Sequence, residues 1–458
     1  MKHSLWGDGS GLDSAMAAYT AGDDRRWDQR LLRWDIIGTM GHIGGLAGAG
    51  LLTLEEHATL AAELDQTLTA ADAGLFRVTE DDEDAHTALE QRLVGRLGEL
   101  GEKVHTGRSR NDQVMAALRL YLKSAILEIE TALIATARSL LSFGGRHAGV
   151  VMPGFTHIRR AMPSSVGLWA AGYAEVLLDN LGLLDAAYNL ADRGPLGSAA
   201  GYGTPLPLDR LAVSDSLGFA SPQLAVTSVQ LSRGKLEATV LSALWTVARD
   251  LAALSWDVVL FSADEYGYFV LPAELATGSS IMPQKRNPDV FELTRGRAGI
   301  IAGLAAQAMA VAGSLPGGYH RDMQLTKGPL MEGLDTVHAM LVMMADAVPR
   351  LGVDAEVCAA AVGGDLLATD EVYRRVRDGV PFRTAYRQVA SEIKEGGEVP
   401  PLAADAILEA RTHLGGAGAP ALDELEAVAM EASRSVDRRH LAFSNAIART
   451  NVNRRDEP

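Results

Sequence analysis

The stretch NDQVMAALRLYLKSAILEIETALIATARSLLSFGG, residues 111–145, contains no proline, and its first glycine is Gly144. Its apolar positions Val114, Leu118, Tyr121, Leu122, Ile126, Ile129 and Leu133 recur every three or four residues, the period of a helix with one buried face. Asn111 or Asp112 is a suitable N-cap, and Gly144-Gly145 marks the end. The pattern predicts one helix of about 30 residues, roughly 45 Å long at about 1.5 Å per residue. Few small domains support a helix of that length. Its stability has to come from neighbours packed along it.

Working outward, similar periodicity spans residues 163–191, 230–262, 288–311 and 327–348, without the Val/Ile-rich alternation of strands. The expected fold class is therefore all-α, with a central bundle of long helices that continues across subunits. Gly- and Pro-rich segments at 151–163, 194–207, 272–288 and 314–327 are expected as loops. Before residue 108 the helical patterns are shorter (30–37 and 53–68), broken by glycines, and accompanied by the acidic run 80–84. The last hundred residues also predict shorter helices, at 384–394 and 402–414, and a polar tail. This suggests an N-terminal helical domain over 1–107, a bundle domain over 108–360 and a C-terminal helical domain over 361–458.

Composition narrows the function. Against 42 Lys and Arg stand 58 Asp and Glu, a formal charge of −16 that repels nucleic acid and anionic membranes. A protein this acidic that handles carboxylates has to gather its cations locally. The lone cysteine, Cys358, excludes an internal disulfide framework and a multi-thiolate metal site, and fits a reducing compartment, so the expected location is cytoplasmic. Residues 1–8 lack a signal-peptide core. The most apolar stretch, 298–312, is too short to span a bilayer, includes Gln307 and reads as a buried helix.

The segment TGSSIMPQKRNP, residues 277–288, is glycine-led, carries two hydroxyls, two cations and an amide, and empties through Pro288 into a helix. Backbone N–H groups before a helix N-terminus, with Lys285 nearby, suit a carboxylate. Taken alone, the same residues also suit a flexible loop with an N-terminal proline. Ser109, Arg110 and Asn111 likewise lie at a helix start, where a guanidinium and the helix dipole can both address an anion.

Segment 277–288 resembles the GSSxMPxKxNP signature of the fumarase/aspartase superfamily. HTGRSRNDQ (105–113), MPGFTHIRRAMP (152–163), PLGSAAG (195–201) and TPLPLDR (204–210) are similar to segments of its argininosuccinate lyase family, so the resemblance covers essentially the whole chain. It implies a cofactor-independent lyase that splits a C–N bond by β-elimination, releasing fumarate and, in that family, arginine. By the same resemblance Ser279 is the base, Lys285 and Asn287 hold the reacting carboxylate, and His157, partnered by Glu292, assists protonation of the leaving nitrogen. Chemically, Ser279 needs cations and loop N–H groups around it to ionise, whereas an imidazole suits proton transfer near neutral pH. The expected substrate clamps are Ser109, Arg110, Asn111, Thr156, Asn287, Tyr319, Gln324 and Lys327. Arg321-Asp322 belongs to the same segment, and His86, Thr87 and Glu90 match an N-terminal contribution or a surface helix. The resemblance further implies a homotetramer whose active sites are shared between three subunits, a small-molecule substrate and no cofactor or metal.

Several positions leave the family pattern. Leu224 stands where an Asn aligns, His320 replaces an Asn, Leu325 and Gly328 replace acidic residues, and the opening Leu5-Trp6-Gly7 lacks the usual Gly-Arg-Phe. Most of these face the leaving-group end. Two further readings therefore accompany the first: a lyase acting on another N-substituted aspartate, and a catalytically silent, crystallin-like homologue. Retention of Ser279, Lys285, Asn287, His157 and Glu292 counts against the last.

Overall fold

The computed structural model describes residues 13–450; the expectations for residues 1–8, including Leu5-Trp6-Gly7, and for the extreme C-terminal tail lie outside them. The deciding stretch forms a single helix, Arg110–Arg146, of 37 residues, about 55 Å at roughly 1.5 Å per residue. Its cap is Ser109 rather than Asn111 or Asp112. The Ser109 hydroxyl accepts from the Asn111 N–H at 3.3 Å, and the Asp112 carboxylate accepts from the Ser109 N–H at 3.0 Å. The other Asp112 oxygen accepts from the Ala199 N–H at 2.7 Å, tying the 195–203 loop to the helix start. Burial pushes the Asp112 carboxyl up to about 6, against these backbone bonds.

Around this axis lie Val166–Ala191, Lys235–Phe261, Asp289–Ala312 and Lys327–Ala347. They share one core in which Leu118, Leu133, Leu184, Leu244, Leu251, Phe291, Leu334 and Leu341 are all buried. At about 1.5–3 kcal/mol for each large apolar side chain, this core is the main source of stability. The all-α class and the long-helix bundle are as expected. The segment 151–163 is not a loop: Val151–Thr156 and Arg159–Ser165 form an antiparallel hairpin, and His157 and Ile158 turn its tip with φ of 53° and 58°. The following helix accordingly begins at Val166, capped by Ser165, and not at Pro163.

Near the N-terminus the prediction fails in an instructive way. The helix Asp24–Gly48 runs straight through Gly38, Gly41, Gly44 and Gly45. A Cβ on Gly41 would lie 2.6 Å from Leu217, and one on Gly45 would lie 2.5 Å from Val213, so these glycines let the Arg210–Ser216 helix approach closely. Propensity alone says that Gly45→Ala stabilises by roughly 1 kcal/mol. We expect overpacking to reverse that to a net loss of about 1–2 kcal/mol in urea unfolding, while Gly44→Ala, with no atom within 4 Å, keeps the gain. Equal gains at both positions would show that Val213 simply moves aside.

The C-terminal expectation also needs correction. Instead of a helix over 402–414 there is only Ala404–Glu409, and a 29-residue helix, Leu422–Thr450, lies along Arg110–Arg146. Its buried seam, Leu425, Ala429, Val436 and Phe443, is narrow, and Arg439 reaches the fully buried Glu130 at 2.7 Å. The apolar 298–312 segment lies in Asp289–Ala312, where Ile301, Ala305 and Ala308 are buried but Ile300 and Met309 are exposed in the single chain. Among the described residues no helix is long and apolar enough to cross a membrane.

Candidate active site

The predicted site residues fall into three groups. The first lies where the start of Arg110–Arg146 meets the 319–327 segment and the N-terminal helices. There Asp24, Asp28, Asp84, His86, Arg110, Asn111, Arg233, Tyr319, Gln324 and Lys327 line a cavity of about 150 Å³. A wider cavity of about 630 Å³, whose walls include Asp23, Trp27, Asp322, Leu325 and Gly328, shares Asp24, Arg321 and Gln324 with it.

Lys327 begins its helix and is buried. Its ammonium lies 2.6 Å from Asp24 and 2.5 Å from Asp28, which stand one turn apart on Asp24–Gly48. Burial works against the charge on Lys327, but Asp28 and Asp24 outweigh it and hold the pKa above the usual lysine value. Asp24 is pushed up to about 6, chiefly by burial, with Lys327 opposing. Gln324 donates to the carbonyls of Thr20 and Ala21 at 2.9 and 3.2 Å, latching this helix entry to the site. Arg110 pairs with Glu83 at 3.0 Å and with Asp84. The acidic run 80–84 is thus partly inside: Asp84 caps the Ala85–Leu97 helix by accepting from the Thr87 N–H. Burial disfavours its charge, yet His86 and Arg110 hold it below the usual carboxylate range. His86 is buried 2.9 Å from Asp35, and although burial pulls its pKa down, Asp35, Asp84 and Asp28 raise it overall. Thr87 and Glu90 share this helix, Glu90 lying 3.6 Å from His105. Ser109 serves the helix cap.

The second group is the signature loop. Thr277 pairs with Asn287 and Gly278 with Arg286 in a two-residue antiparallel ladder, so residues 279–285 form a closed excursion. Inside it the Ser279 hydroxyl oxygen accepts from the N–H groups of Ile281 at 3.3 Å and Met282 at 3.1 Å. Two N–H groups converging on one oxygen make a small anion-stabilising nest. Asn287 donates to the Gly278 carbonyl at 3.4 Å, bracing the ladder. Lys285 is exposed and forms no ion pair among the described residues. Glu292, one turn into Asp289–Ala312, faces Arg295 at 3.9 Å.

The third group, Thr156 and His157, sits exposed at the hairpin tip. No hydrogen bond or ion pair among the described residues joins the three groups within one chain, and Glu292 meets Arg295 here rather than His157. Sequence reading overlooked Asp24, Asp28 and Arg233. The Asp-x-x-x-Asp spacing puts the two carboxylates on one helix face and was available as a signal; nothing local distinguishes Arg233 from any arginine before a helix.

Known proteins resemble this chain along most of its length. A family model described as a lyase matches residues 13–303. The argininosuccinate lyase of Sorangium cellulosum is 47% identical over 93% of this chain and 98% of its own, and that of Parabacteroides distasonis is 41% identical over 87% and 90%. Among solved structures, EDDS lyase in complex with formate superposes with a TM-score of 0.80 at 24% identity, covering 96% of both chains. The class II fumarase of Schistosoma mansoni gives 0.70 at 17% identity, over 87% and 92%. These last two likenesses concern the fold.

Proposed function

Because this chain belongs to the argininosuccinate lyase family, within the fumarase/aspartase superfamily, we propose that it splits argininosuccinate by β-elimination into arginine and fumarate. The observation that carries the chemistry is the pair of N–H groups converging on the Ser279 oxygen. They favour the alkoxide over the hydroxyl, and Lys285 on the same loop adds positive charge once the loop closes on substrate.

In this reading the Ser279 alkoxide takes a proton from the succinyl carbon beside the carboxylate, and the electron pair is held as an aci-carboxylate near Lys285 and Asn287. The carbon–nitrogen bond then breaks, fumarate forms, and the departing guanidine nitrogen receives a proton through His157, oriented by Glu292. Thr156 holds the succinyl half; Asn111, Tyr319, Gln324 and Lys327, which line one cavity, hold the amine half.

The dispersal of these groups within one chain supports a homotetramer that builds each site from three subunits. Exposed Leu293, Ile300, Met309, Trp256 and Val342 on three bundle helices supply apolar faces for such an assembly. The buried, unpaired Cys358 accords with a reducing, cytoplasmic setting, and the family with a role in arginine biosynthesis.

A second reading, release of a different amine, draws on Leu325 and Gly328 in the wall of the wider cavity. Trp27 packs on Gly328, where an added Cβ would lie 2.9 Å from the indole nitrogen, so a side chain there requires the indole to shift. Incubating the purified protein with argininosuccinate separates the readings. Equimolar arginine and fumarate are expected, whereas fumarate from another N-substituted aspartate alone would favour the second reading, and no fumarate from either would end both.

A further inference from the structure

Each basic side chain lining the smaller cavity, one excepted, is already matched by acid. Lys327 lies between Asp24 and Asp28, Arg110 between Glu83 and Asp84, and Arg321 lies 3.3 Å from Glu83. Even His86 is held by Asp35. The exception is Arg233. It is only 4% exposed, and its Nε and Nη1 are buried without a hydrogen-bond partner. No ion pair reaches its guanidinium among the described residues; the contact it makes is with the ring of Tyr319, whose centroid is 5.1 Å away.

The backbone holds it there deliberately. Arg233 precedes Gly234, which adopts a φ of 75° and at which an added Cβ would lie 2.2 Å from Ala312. The Gly234 N–H donates to Glu237 at 2.6 Å, and Glu237 accepts from Thr326 at 3.4 Å, next to Lys327. A buried guanidinium with no counter-charge is unfavourable unless an anion arrives. Tyr319 and Gln324 place it in the compartment assigned to the amine half, not beside Ser279.

We infer that Arg233 binds the carboxylate of the amine half and thereby selects amines that carry an amino-acid end. The inference rests on the proposed lyase reading for the identity of that amine. Lys327, already matched by Asp24 and Asp28, is not free to take that carboxylate.

The test compares arginine with agmatine, which lacks only the carboxylate, as ligands of the full-length protein by calorimetry. On the unaltered protein arginine should bind at least about tenfold more tightly, as expected for one charge-assisted contact. Arg233→Met should erase that difference, and Arg233→Lys should keep part of it. Binding of fumarate and the assembly state should stay unchanged, which separates loss of the contact from misfolding. For argininosuccinate the Met variant should raise KM far more than it lowers kcat. Equal binding of arginine and agmatine to the unaltered protein would overturn the inference. So would a Met variant that keeps the difference, that loses fumarate binding instead, or that falls apart as an oligomer, which would mark Arg233 as the partner of another subunit's acid. A protein that discriminates arginine from agmatine through Arg233 yet releases no fumarate would sink the lyase reading and leave this one standing.

Discussion

Replacing Ser279 by alanine should reduce fumarate release from argininosuccinate by roughly 10³-fold or more while leaving the fold and assembly intact. The loss is large because the hydroxyl oxygen is the proposed proton acceptor and no neighbouring group replaces it; Lys285 is assigned to the reacting carboxylate and the Asn287 amide is not basic. The fold should survive because the oxygen accepts only the Ile281 and Met282 N–H groups of an exposed loop, which water can satisfy in its absence. Thermal unfolding should therefore shift by no more than the equivalent of about 0.5 kcal/mol. Near-normal turnover in the alanine variant would remove Ser279 from the mechanism, and a large drop in thermal stability would mean that the ladder of Thr277 and Asn287 depends on it.

The second large effect concerns Lys327→Ala, which leaves Asp24 and Asp28 buried and facing each other without their cation. Breaking such a buried pair from one side costs about 3–5 kcal/mol. The deficit should depend on pH with a definite sign. Asp24 already titrates near 6 in the folded protein, above its usual 3.8, and loss of Lys327 removes the group that lowers it. With a folded pKa above the unfolded one, the folded state binds more protons between the two values, so stability falls as pH rises through that window. The variant should thus be most impaired near pH 8 and recover part of its deficit by about pH 5, as Asp24 takes up a proton. Urea unfolding at the two pH values measures this, and an equal deficit at both would contradict the buried triad. In activity, KM should rise by about 100-fold with the wall of the amine compartment lost. Isotope exchange at the succinyl carbon should persist, because Ser279 belongs to a separate group. Loss of exchange together with binding would show that the two halves of the site are not independent.

How far the sequence could be read depended on the kind of signal. The residues of Arg110–Arg146 announce a long helix because the apolar side chains repeat along the chain itself, whereas segment 277–288, with its contiguous glycine, hydroxyls and cations, suits either an anion cradle or a plain loop until its resemblance to the GSSxMPxKxNP signature is added. Leu422–Thr450 was passed over because its many charged residues read as a polar tail, and one of them, Arg439, finds its partner Glu130 only 309 positions away in sequence. The glycines of Asp24–Gly48 look like helix breakers until Leu217 and Val213 are seen pressed against them.

By itself, then, the order of residues determined the helical class, the bundle's long axis and the chemical repertoire of the signature loop, since each is a local or periodic property. Only the tertiary structure decided which charges are matched and which are not: that Lys327 is enclosed by Asp24 and Asp28, and that Arg233 is buried with no ion pair among the described residues. Charge compensation depends on distance and burial between segments far apart in the chain, and neither quantity is written in any one of them.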